Sequence, residues 1–365
     1  MKKFAFIVHP MEAADIGHWF APAGLLPGPV LKMLLRLAPS FRASPVTGIE
    51  SPCGRSAGWL VALPLTAGQI TGLPARSVAS KLVRSGRLAR RLGAGVVGLG
   101  GMLPLAGEAV SALKAGLDLP VTCGRAYTIA AGLEALRQAA LLMGNHLKNT
   151  RALVVGAGDP PGRLLSLLLA REVKRMTLAG GHRVRLEELA GKIYYDSGLS
   201  VTISPDLKEA LKVSQLVIVA GRGEGYGLEA VDPAPGSVVL WLAPPSGSAP
   251  GAGKPRDDVL FIREGLLALP GGSNTIIEPE SPPGLVCPAL AETIILALEG
   301  CGRALPPDGP VTVRQVEEMA CLGRKHGFKL AGFKTLNGCF TPAGGSGIIA
   351  GAQRAGNGAI IPVNG

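Results

Sequence analysis

One stretch constrains this chain more than any other. The apolar run Arg151 to Gly156 enters a glycine-rich turn, Gly156-Ala157-Gly158-Asp159-Pro160-Pro161-Gly162, and a helical segment from Gly162 to Arg171 leaves it. A strand that turns into a helix through glycines is the opening of a Rossmann-type βαβ unit. In such a turn the first glycine permits the tight bend and the second lets the backbone approach a pyrophosphate. The third lets helix and strand pack closely, and the phosphates rest on the helix amino terminus. Gly156, Gly158 and Gly162 can fill these places, with one residue more than the usual spacing before the last. A second strand at Arg175 to Leu178 and a second helix at Arg185 to Ser197 complete the unit.

The turn is chemically irregular. Asp159 would set a carboxylate against a pyrophosphate, and Pro160 and Pro161 have no N–H to donate. The same residues also describe an ordinary turn, with Asp as helix cap and Pro at the first helical position. After the second strand, NAD-specific units place an acid on the ribose hydroxyls. Here the segment from Ala179 to Arg185 holds Arg183 and Arg185 and no acid, which favours a 2′-phosphate and hence NADPH over NADH. A solvated basic turn is the plainer alternative.

Strand patterns alternate with helices over most of the chain: strands at Lys3 to Val8, Trp59 to Pro64 and Gly95 to Gly100, helices at Pro74 to Leu92 and Tyr127 to Met143. Such alternation reads as an α/β fold with a mostly parallel sheet. At 365 residues there is chain enough for two cores. The expected organisation is an N-terminal α/β substrate- or carrier-binding domain over 1–125 and a Rossmann-type NADP-binding domain over 126–300. A C-terminal helical segment over 301–335 and a poorly ordered tail over 336–365 follow.

The formal charge of +11 favours acidic partners. Basic residues are not interleaved with aromatics and no binding module is recognisable, so nucleic acid is not expected. In the helix near residues 75–92, Val78, Leu82, Leu88, Ala89 and Leu92 share one arc, while Arg76, Arg84, Arg87, Arg90 and Arg91 share the other. That basic face suits an acidic carrier protein, an anionic lipid surface or plain solvent. The six cysteines (Cys53, Cys123, Cys287, Cys301, Cys321 and Cys339) show no paired framework, as expected of a cytoplasmic protein. No histidine stands at metal-ligand spacing, so no metal is expected. The apolar run after the start is too short for an export signal, and none reaches the length of a membrane span.

Longer segments resemble a known family. FIVHP (Phe6 to Pro10), PLTAGQ (Pro64 to Gln69), VGLGG (Val97 to Gly101), AYTIAAGLEAL (Ala126 to Leu136), LLAREVKRMTLAG (Leu168 to Gly180), PALAETIILALEG (Pro288 to Gly300) and KHGFKLAGF (Lys325 to Phe333) are similar to the long-chain acyl-[acyl-carrier-protein] reductases. The likeness extends to their bacterial relatives described as amino-acid-dehydrogenase- or shikimate-dehydrogenase-like. It implies an NADPH-dependent reduction of a fatty acyl thioester to an aldehyde, with acyl carrier protein or acyl-CoA as substrate.

The resemblance also implies a cysteine nucleophile three residues before Glu292, where this chain has Ala289. Cys287 stands two residues earlier, before Pro288. If Pro288 opens the helix, the macrodipole would lower the thiol's pKa and Cys287 could take over the role. An inert thiol, or direct hydride transfer without an enzyme-linked intermediate, are the alternatives. Further departures are Arg125 for a family Asn, Asp159 for a glycine, and Gly181 for an arginine, which leaves Arg183 or Arg185 to contact the phosphate. A proton donor for a reduced carbonyl could be His9 or Tyr127, each also readable as a framework residue. Three readings follow. The chain is an NADP-dependent acyl-thioester reductase with altered catalytic positions, a non-catalytic relative that binds nucleotide, acyl group or carrier, or a shikimate- or amino-acid-type dehydrogenase. The last needs a Lys-Asp pair that the sequence does not show.

Overall fold

The structure, a computed structural model, describes residues 1–18, 26–221, 233–242, 256, 258–272, 281–300, 309–335 and 338–341. Cys301 lies outside these residues, as does most of the segment expected to be a disordered tail. In chain order the first elements are β1 (Lys2–Val8), α1 (Gly28–Leu37), β2 (Phe41–Ser51), β3 (Gly54–Ala62), α2 (Ala67–Gly72) and α3 (Ala75–Arg91). There follow β4 (Val97–Leu99), α4 (Gly107–Gly116), β5 (Val121–Thr122) and α5 (Arg125–Leu142). The middle of the chain holds β6 (Arg151–Val155), α6 (Pro160–Leu169), β7 (Arg175–Ala179), α7 (Arg183–Ser197), β8 (Thr202–Ile203), α8 (Leu207–Lys212), β9 (Leu216–Val219), β10 (Val238–Trp241) and β11 (Leu260–Ile262). The last elements are β12 (Glu264–Ala268), β13 (Leu285–Val286), α9 (Pro288–Glu299), α10 (Val313–Lys325), β14 (Lys329–Thr335) and β15 (Gly338–Phe340).

These elements form two compact units. One contains residues 1–128, 267–310 and 317–329; the other contains 129–266, 311–316 and 330–365. The chain therefore does not divide linearly. The expected boundary near residue 125 falls close to the first crossing, but residues 267–300, expected in the dinucleotide domain, return to the first unit. Segment 309–335 is not wholly helical either, because α10 is followed by β14. Residues 338–340 of the expected tail are strand β15, paired antiparallel with β14 through Phe333 opposite Phe340.

The first unit is built on a five-stranded sheet of order β2-β3-β1-β4-β5. β3, β1, β4 and β5 run parallel, and β2 returns antiparallel along β3 as an edge strand. Pro45 and Gly48 inside β2 hide it from a sequence reading. They are tolerated because one side of an edge strand needs no ladder partner, and the pairing shifts register twice along it. Successive residues of β1 serve opposite faces. Ala5 and Ile7 pack with Val78, Leu82 and Leu113 from α3 and α4. On the other face, Gly98 leaves room for the Phe6 ring, and Thr293 of α9 lies against the same glycine. The apolar arc expected on α3 is buried at Val78, Leu82 and Ala89, while Arg76, Arg84, Arg87, Arg90 and Arg91 are exposed.

The second unit contains a six-stranded sheet of order β8-β7-β6-β9-β10-β11, and every pairing in it is parallel. Numbered from β6, this is the order 3-2-1-4-5-6 of a doubly wound Rossmann fold. The strands are buried almost throughout, and Leu153, Val155, Val217, Val219 and Val239 form their shared core. Runs of buried aliphatics with no polar alternation are what a parallel sheet covered on both faces requires.

Candidate functional site

In a doubly wound sheet ligands bind beyond the carboxyl ends of the strands, where the strand order reverses. That point lies between β6 and β9, and the glycine turn occupies it. Gly156 has φ +75, and a Cβ there would collide with the Ala220 carbonyl oxygen at the end of β9. A Cβ on Gly162 would collide with the Gly156 carbonyl oxygen, so the close approach of α6 to β6 depends on glycine. The first and third glycine roles are thus met. Gly158 instead lies against the neighbouring turn: its Cβ would come within 3.3 Å of the Gly181 Cα and 3.4 Å of the Gly180 oxygen.

The second role, presenting N–H groups to phosphate, is not met in this arrangement. Gly156 N–H donates to the Ala179 oxygen at 2.9 Å, and Ala157 N–H donates to the same oxygen at 3.2 Å. Gly158 N–H donates to the Gly180 oxygen at 3.3 Å, and Asp159 N–H to the Gly156 oxygen at 3.0 Å. Pro160 and Pro161 have no N–H. Asp159 occupies the N-cap position of α6, yet its side chain caps nothing. One carboxylate oxygen instead fills the space that a side chain on Gly221, just past β9, would take. As arranged, the turn fits the backbone path of a dinucleotide site and does not fit a pyrophosphate. Arg183 pairs with Glu187 one turn along α7 at 2.8 Å, and Arg185 is exposed.

The first unit has a second constellation. Lys2 Nζ at the start of β1 donates to the Leu298 oxygen at 2.6 Å, near the carboxyl end of α9. At the other end of that helix, Ala289 lies against Gly124, just past β5. α9 therefore runs antiparallel to β1, β4 and β5, and its amino terminus sits at the carboxyl edge of the parallel strands. Cys287 is the N-cap residue and Pro288 the first helical residue, so the thiol stands at the positive end of the helix dipole. It is 8% exposed. Ala289, in the position where the family resemblance implies a nucleophile, is half-buried and carries no reactive group.

Glu292, three residues on, is a buried carboxylate with a positional role. Thr122 Oγ1 donates to its Oε1 at 2.5 Å, and the Tyr127 N–H donates to its Oε2 at 2.8 Å. It thus caps the amino end of α5 from α9. Burial pushes its pKa up, and the hydrogen bonds from Thr122 and from the Tyr127 and Ala126 backbone oppose that rise. In the sequence Glu292 serves only as a landmark for the position of Ala289. The signal was present, because a glutamate inside the apolar run of Pro288 to Glu299 needs partners.

The proposed proton donors are placed otherwise than a free acid would be. His9 Nδ1 lies 2.9 Å from the Pro10 oxygen, and its Nε2 accepts the Met102 N–H at 2.8 Å. A carbonyl can only accept, so Nδ1 carries the proton and the ring is neutral. Burial holds its pKa below the usual histidine value. His9 braces the end of β1 against the turn after β4. The Tyr127 ring is buried edge-to-face on Phe328, and a Cβ on Gly323 of α10 would collide with its hydroxyl oxygen. Burial pushes that hydroxyl's pKa above the normal tyrosine range. Lys81, indistinguishable in the sequence from a surface lysine, donates to the Leu35 and Ala38 oxygens at 3.0 and 2.7 Å and closes the end of α1. Burial, aided by Arg84, lowers its pKa to about 8. Among the described residues there is no cluster of His, Cys, Asp and Glu fit to hold a metal, and no helix is long and apolar enough to cross a membrane.

No family model matches the chain. It is 29% identical over 284 residues to the aminotransferase PigE of Serratia sp. (strain ATCC 39006), a match covering 73% of this chain and 31% of that protein. The chain thus spans about a third of that relative's length. Among solved structures it resembles L-tryptophan dehydrogenase from Nostoc punctiforme, with 11% identity, 88% and 79% coverage of the two chains and a TM-score of 0.39. It also resembles quinate dehydrogenase from Corynebacterium glutamicum in complex with NAD, with 13% identity, 88% and 98% coverage and a TM-score of 0.32. The Rossmann-type assignment of the second unit rests on its own strand order and on the glycines that close its first turn.

Proposed function

We propose that the chain is an oxidoreductase of the NAD(P)-dependent Rossmann class and that its substrate is an acyl thioester, received on Cys287. The observation that carries this reading is the amino end of α9: a thiol at the N-cap, at the carboxyl edge of four parallel strands. The first step is acyl transfer. Cys287 Sγ forms a bond to the acyl carbon as the carbon–sulfur bond to the carrier breaks, and the proton passes to the departing thiol. The motif resemblance supports a reductive fate, in which NADPH would supply hydride and leave an aldehyde. No step is assigned to the dinucleotide, because the glycine turn does not fit a pyrophosphate as it stands. An aldehyde is also the kind of carbonyl that transamination consumes, so likeness to a protein named as an aminotransferase is chemically compatible. The exposed Arg76, Arg84, Arg87 and Arg91 on α3 are the surface we assign to an acidic acyl carrier protein.

The test is to incubate the protein with acyl-CoA of several chain lengths and read the acylated residue by peptide mass spectrometry, with and without NADPH. Acylation at Cys287, lost in Cys287→Ala, is expected, together with aldehyde when NADPH is added. Aldehyde formation that survives Cys287→Ala removes the thiol from the mechanism. A second reading, a non-catalytic relative that holds an acyl group or carrier, is favoured by the occupied N–H groups of the glycine turn and by Ala289. It predicts carrier binding with neither acylation nor aldehyde.

A further inference from the structure

The crevice at the switch point has an occupant supplied by the chain itself. The Asp159 carboxylate lies over Gly221, between the ends of β6 and β9. Among the described residues it makes no hydrogen bond and no ion pair, although it is half-buried and follows a turn rich in N–H groups. Those N–H groups are turned inward: the carbonyls of Gly156, Ala179 and Gly180 take all four from Gly156 to Asp159. Two prolines then remove the first two donors of the helix, leaving Gly162 N–H as the first that an anion could find. Sequence and geometry agree here, since each residue from Gly156 to Pro161 either spends its N–H internally or has none.

We infer that Asp159 is a specificity-determining residue that sets the charge the crevice accepts. With the carboxylate over Gly221, the crevice disfavours a ligand that places a pyrophosphate at the switch point. A ligand portion that is uncharged, or that offers hydroxyl or ammonium donors to this carboxylate, is favoured there. The physical cause is double: like charges approach in a partly dehydrated crevice, and the four backbone donors from Gly156 to Asp159 that would compensate them are already used. Neutralising the side chain removes the first cost and leaves the second. Shortening it to glycine removes both the charge and the bulk over Gly221, leaving the turn freer to re-aim its N–H groups.

This inference rests on the proposal that the second unit takes a dinucleotide, and the experiment separates the two. NADPH and adenosine are titrated against the wild type, Asp159→Asn and Asp159→Gly, by cofactor fluorescence for the first and calorimetry for the second. Circular dichroism checks that all three proteins are folded. NADPH is expected to bind Asp159→Asn at least about tenfold more tightly than the wild type, and Asp159→Gly more tightly still, while adenosine, which has no phosphate, changes by less than about twofold. Wild-type binding of NADPH as tight as that of both variants overturns the role of Asp159 and leaves the dinucleotide reading standing. An equal gain for adenosine also overturns it, because bulk and not charge would then be decisive. Absence of NADPH binding to all three proteins at millimolar cofactor sinks the inference together with the reading beneath it.

Discussion

Glu292 Oε2 accepts the backbone N–H of Tyr127 at 2.8 Å, so a carboxylate on α9 closes the amino end of α5. Its second oxygen holds the Thr122 hydroxyl at 2.5 Å, and Thr122 in turn accepts the Gly124 N–H at 3.1 Å. The glutamate thereby ties the end of β5, the turn after it and the start of α5 to one helix. Replacing it by alanine strands a hydroxyl and a backbone donor away from water. Glu292→Ala is expected to lower stability by about 3 kcal/mol, read from urea unfolding followed by circular dichroism. A loss below about 1 kcal/mol would show that water replaces the carboxylate there.

The same residue gives a pH signature. Burial raises its pKa in the folded state. A raised carboxyl binds protons in the native protein that the unfolded chain has already released. Its stabilising contribution is therefore complete below the ordinary glutamate value of about 4.3 and declines as pH rises through the raised folded value. Glu292→Gln should flatten that part of the stability profile. Parallel profiles for the two proteins would show that the carboxyl is not raised.

His9 should act in the opposite direction. Its pKa is lowered in the folded state by burial, and Nε2 must stay unprotonated to accept the Met102 N–H. Stability from this residue is present above the ordinary histidine value of about 6.5 and is lost as pH falls through the lowered folded value. Comparing thermal unfolding midpoints of the wild type and His9→Gln at several pH values tests this. The wild type should lose more on acidification over that window, and an unchanged difference between the proteins would contradict it.

Gly162 is a steric prediction. A methyl group there meets the Gly156 oxygen, which belongs to the backbone and has little room to yield. Gly162→Ala should cost about 2–4 kcal/mol and move α6 off β6, visible as faster amide hydrogen exchange in β6. Gly191→Ala is the control: it lies within α7, where a Cβ meets nothing within 4 Å, and the change should be neutral or mildly stabilising.

The arginine face of α3 supplies a prediction for the proposed carrier. Arg84→Glu with Arg87→Glu should weaken binding of an acidic acyl carrier protein by about tenfold or more at low salt, and the loss should shrink at high salt. Both side chains are exposed, so the fold should be unaffected. Equal carrier affinity in both proteins at low salt would move the docking surface elsewhere.

Much of the architecture was legible in the residues because it follows from short-range patterns. The run Arg151 to Val155, the glycines after it and the buried arc of α3 announce strand, turn and helix, and each is found within a few residues of its expected place. The edge strand β2 was not legible, since Pro45 and Gly48 mask it and only its place beside β3 excuses them. The return of residues 267–300 to the first unit was not legible either, because nothing local says which sheet a helix will cover.

At the site the division is sharper. The sequence alone determined that a Rossmann turn is present, that it contains a carboxylate and two prolines, and that Ala289 stands where the resemblance implies a thiol. Only the tertiary structure decided where those groups point. Donation to Ala179 and Gly180, contact of Asp159 with Gly221, and closure of α5 by Glu292 all join residues whose spacing in the chain carries no trace of their pairing. Hydrogen bonds and steric contacts depend on distance in space, and the packing of whole elements sets that distance.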